Sequence, residues 1–103
     1  MQKADTLDPA ALEFIERTVR EAMGRFGLTS VVAQPDEDHD GDAVIYVEAN
    51  YDGSGDPIDP EVVARLAIEL PKRLWELGEK RFPHIRHYFD EHQQVKPRRR
   101  RRG

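Results

Sequence analysis

AVIYVEANY, residues 43 to 51, alternates along its whole length: Ile45, Val47, Ala49 and Tyr51 fall on one side, Val44, Tyr46, Glu48 and Asn50 on the other. A period of two is the signature of a half-buried strand, and the first set is the more apolar, so it is the expected core face. Upstream, LTSVVAQ at 28 to 34 carries β-branched Val31 and Val32 and reads as a second strand. The residues between them decide whether the two form a hairpin.

That connection, DEDHDGD at 36 to 42, has Asp36, Asp38, Asp40 and Gly41 where a calcium loop would want them. The twelfth position of such a loop supplies a bidentate glutamate, and here it is Val47. Glu48 comes one residue late, and in a strand that slip turns its carboxylate to the opposite face. Asp40-Gly41 suits a hairpin turn, because glycine supplies the positive φ and aspartate tolerates it. The stretch is therefore read as an acidic turn without metal, and DGSGDPID at 52 to 59 as linker.

Helix starts lie on either side. LDPAALEFI and IDPEVVARL share Asp at an N-cap (Asp8, Asp59), Pro at the first helical position (Pro9, Pro60) and the apolar pair of a hydrophobic staple (Leu7 with Leu12, Ile58 with Val63). The first helix presents Leu12, Ile15, Val19, Ala22, Met23 and Phe26 and ends at Gly24 or Gly27; the second presents Val63, Leu66, Ala67, Leu70, Leu74 and Leu77. Pro71 predicts a kink or restart near Leu70. A third short helix is expected over Pro83 to His92, with Ile85, Tyr88 and Phe89 inward.

The fold class is thus α+β, in the order α-β-β-α-α, with an antiparallel β-hairpin covered on one face by helices. Because a lone hairpin is marginal and leaves both edges unpaired, the sheet is expected to be extended by dimerisation.

At 103 residues the chain suits one domain, expected over 1 to 95. The net charge of -4 is segregated: residues 1 to 95 carry -10, and Lys96 with Arg98 to Arg102 carry +6. Five adjacent arginines repel one another, so 96 to 103 reads as a disordered tail. The acidic body repels phosphates, which leaves nucleic acid to Arg98, Arg99, Arg100, Arg101 and Arg102, and favours a basic protein as partner of the body. With no cysteine, no leader and no long apolar run, the reading is cytoplasmic, without disulfides and without a membrane span.

Chemistry-bearing motifs are sparse. His84, His87 and Glu91 would share one face of the expected third helix at metal-compatible spacing, but no zinc-protease arrangement supports them. Ser30 and Ser54 lie in no nucleophile elbow, and there is no glycine-rich phosphate loop. The sequence therefore points away from an enzyme and from any cofactor. It is read as a small protein-interaction module, an accessory or regulatory subunit of antitoxin or immunity type, with Trp75, Tyr46, Asp36, Asp38 and Asp40 as candidate contacts. The alternative is a nucleic-acid-associated protein that holds phosphates through its arginine tail.

Overall fold

The computed structural model describes residues 6 to 89. Helix α1, Pro9–Met23, buries Ala11, Ile15, Val19 and Met23. A single 3-10 turn, Gly24–Phe26, follows and is closed by Gly27 at φ 85°, a conformation that glycine reaches without steric cost. Strand β1, Leu28–Glu37, then pairs antiparallel with β2, Ala43–Tyr51. The expected hairpin and its core face are both present: Ile45, Val47, Ala49 and Tyr51 are all buried.

Helix α2, Pro60–Glu76, carries the chain across the sheet to β3, Phe82–Phe89, which lies parallel to β2. The sheet is mixed, in the order β1-β2-β3, with both helices on one face. Ile15, Val19 and Met23 of α1, the inward side chains of β2, and Leu66, Leu70 and Leu74 of α2 form one core, which contains no buried charge among the described residues.

Three expectations are corrected. The segment taken for a third helix is a strand. Over so short a run Ile85, Tyr88 and Phe89 fit a helical stripe, while Pro83, Ile85, His87 and Phe89 fit alternation equally well. The free edge of β2 decides between them, since its backbone groups need partners and the α2 crossover delivers the chain there in parallel orientation. The third strand of the sheet therefore comes from within the chain.

Second, of the kink or restart expected at Pro71 the restart is absent: α2 is helical from Pro60 to Glu76. The bond Pro71 cannot donate leaves the Ala67 carbonyl, and Ala67 is exposed, so water can take that place. Third, only one of the two aspartates caps its helix through its side chain. Asp59 Oδ1 accepts from the Glu61 N–H at 2.9 Å, whereas Asp8 contributes only its backbone carbonyl, to the Leu12 N–H. At its other end α2 closes in a Schellman motif, with Glu79 N–H donating to the Leu74 carbonyl and Gly78 N–H to that of Trp75.

Candidate functional site

Alternation along the three strands assigns their side chains to two faces. Val31, Ala33, Ile45, Val47, Ala49, Tyr51, Ile85 and Phe89 meet the helices; the other face, where Val44 is buried, is covered by no helix among the described residues. Strand pairing groups its residues in rows: Gln34, Tyr46 and His84; Val32, Glu48 and Arg86; Ser30, Asn50 and Tyr88. Phe82 and Tyr88 are 50% and 44% exposed and Val32 is 43% exposed, so apolar surface accumulates on this side. Arg86 stacks its guanidinium 4.4 Å from the centroid of the Tyr46 ring, and Phe82 meets His84 edge-on at 5.0 Å.

The inner side of β3 is different. α2 stops short of covering it, leaving a groove of about 340 Å³ lined by Val63 and Ala67 from the helix and by Phe82 to His87 from the strand. Buried Tyr51 bonds through its hydroxyl to His87 Nδ1 at 2.7 Å. Burial pushes the Tyr51 phenol up to about 12 and holds the His87 imidazole below its usual value. A protonated phenol beside a neutral imidazole is satisfied when O–H donates to Nδ1, which puts the ring proton on Nε2.

The start of β3 is fixed by Arg81, which donates from its backbone N–H, Nε and Nη2 to the Glu79 carboxylate at 2.8 to 3.0 Å and from Nη2 to the Thr6 carbonyl. Those bonds hold Glu79 below the ordinary carboxylate range.

The sequence-derived candidates scatter. Tyr46 lies on the sheet face away from the helices; Trp75 is exposed on α2, away from the core, with Lys80 Nζ 4.4 Å from its ring centroid. Asp36, Asp38 and Asp40 lie at the β1–β2 turn, at the far end of β3 from Phe89. Carboxylates of Asp38, Asp40 and Asp42, without Asp36, come within 4.8 Å of one another. Asp38 Oδ1, however, accepts the N–H groups of Asp40 and Asp42, and these bonds, Asp42 first, lower its pKa. The turn is thus built on the Asp38 side chain, with positive φ at Gly41 and not at Asp40.

His84 and His87 point to opposite faces of β3, so the helical metal spacing does not form. Glu91, the arginines 98 to 102 and the end of the expected domain lie outside the described residues. No helix among those described is long and apolar enough to cross a membrane. The alternation of Phe82, His84, Arg86 and Tyr88 was present in the sequence but hidden beneath the helical stripe, and the groove beside β3 had no local signal at all.

No protein-family model, curated protein or solved structure matches the chain.

Proposed function

We propose that the protein is a non-enzymatic interaction module which takes up an extended segment of a partner protein as an additional strand at β3. One observation supports this above the others: β3 is an edge strand with no further strand beside it among the described residues, and a groove open to solvent runs along it beneath α2. An unpaired edge offers a row of main-chain donors and acceptors, and a groove beside it accepts alternate side chains of the incoming segment. Tyr46 and the sheet face away from the helices extend the contact area. The acidic turn with Asp36, Asp38 and Asp40 steers a basic surface of the same partner.

The dimer with a shared sheet belongs to the opposite edge. β1 carries no charge from Leu28 to Pro35, and Val32 on a two-fold axis would set Ser30 opposite Gln34 without like charges. Association is limited to the stretch before Pro35, which lacks an N–H to donate.

Ala67 is exposed and lines the groove, so Ala67→Trp fills it while sparing the core. Affinity purification of the tagged full chain from its host is expected to recover a partner with the parent protein and to lose it with Ala67→Trp. Identical recovery with both would contradict strand addition at β3.

A further inference from the structure

The groove along β3 is lined without a carboxylate, in a molecule whose residues 1 to 95 carry -10. Its polar lining is Arg86, His84 and His87; Lys80 and Arg81 precede the strand, and in the sequence Glu79 lies before and Asp90 and Glu91 after it. Arg81 is held by Glu79, but Arg86 and His84 project from the exposed side of β3, and both line the groove that wraps its edge.

We infer, resting on the strand-addition reading, that the segment received at β3 is acidic: an extended stretch of a partner protein whose carboxylates stand opposite Arg86 and His84 while an apolar side chain enters between Val63, Ala67 and Ile85. Opposite charges facing each other across neighbouring strands are favourable and like charges are not. The same rule disposes of two other occupants. A second copy added antiparallel about a two-fold axis sets two guanidiniums against each other when centred on Arg86, and in no register from His84 to Arg86 does it bring a carboxylate to either residue. The chain's own KPRRRRR segment has the wrong sign.

The inner wall of the groove adds a polar requirement. Val63, Ala67 and Ile85 give it an apolar lining, and His87, with Nδ1 engaged by Tyr51, presents Nε2–H as its remaining polar group. A side-chain oxygen at the one inward position facing His87 can accept from it. Apart from that position, the segment is apolar where it faces Val63, Ala67 and Ile85, with aspartate or glutamate between, facing Arg86 and His84.

The test uses the full chain and three fluorescently labelled nine-residue peptides in which valine alternates with glutamate, serine or lysine, followed by anisotropy at moderate salt. The glutamate peptide is expected to bind about tenfold or more tighter than the lysine peptide, a difference of about 1.4 kcal/mol. Arg86→Glu should reverse that order, and Ala67→Trp should weaken all three. Equal binding of the three peptides, or preference for lysine, overturns the acidic assignment while leaving strand addition standing. Binding by none of them, or binding that Ala67→Trp does not alter, removes strand addition and the acidic assignment together.

Discussion

Tyr51 ends the central strand with its ring buried, stacked 4.8 Å from Phe89, and its hydroxyl spent on His87. Removing that hydroxyl in Tyr51→Phe leaves the imidazole without its partner and is expected to cost about 1 kcal/mol, read from the denaturant midpoint. The pair also makes stability depend on pH. Because the folded pKa of His87 lies below the ordinary value of 6.5, the unfolded chain takes up the proton first. The contribution is complete above pH 6.5 and is lost as pH falls through the lowered folded value. Glu79, held low first by its side-chain bonds to Arg81, acts in the same sense in a more acidic window, beginning below its ordinary 4.5. Unfolding curves across this range should thus show two successive losses. His87→Gln should remove the upper one and leave the lower in place.

At the scale of elements, two places carry most of the local strain on sequence choice. Gly55 sits so close to the 3-10 turn that a Cβ there would overlap the backbone of Arg25, Phe26 and Gly27. Gly55→Ala must therefore push the 52 to 57 loop off the end of α1, and a loss of about 2 kcal/mol or more in thermal or chemical unfolding is expected. Pro71 acts in the other direction. It deprives α2 of one internal bond, so Pro71→Ala should raise stability, by at most about 3 kcal/mol. Helix starts, the hairpin and the core side of β2 were readable because each rests on a local pattern: Pro60 behind Asp59, Gly41 in the turn, Ile45 to Tyr51 in alternation. Phe82 to Phe89 was not, because its pattern admits two periods and the choice is made by β2, some forty residues away in the chain. Trp75, a candidate contact from the sequence, is exposed because the buried stripe of α2 is Leu66, Leu70 and Leu74 and Trp75 lies outside it.

For the whole molecule, charge is organised by surface and not by total. The acidic turn lies at one end of the sheet, Arg86 and two histidines stand on β3 at the edge of the described sheet, and the arginine block follows in the sequence. Net charge along the chain revealed the first and last of these, while the middle one emerged only once β3 was seen as an edge. It follows that a chain ending at Val95 should not retain single-stranded DNA in filter-binding measurements. If the full chain engages phosphates with its five adjacent arginines, log affinity should fall against log salt with a slope of about -4.5. The central claim, that β3 is an open edge awaiting an acidic strand, is tested most directly by titrating the ¹⁵N-labelled full chain with the glutamate–valine peptide and following backbone amides. Shifts concentrated at Phe82 to Tyr88, Val63 and Ala67, with new exchange protection at alternate amides of β3, are the predicted result. Shifts centred on the acidic turn or the outer faces of the helices, with exchange at β3 unchanged, would contradict it.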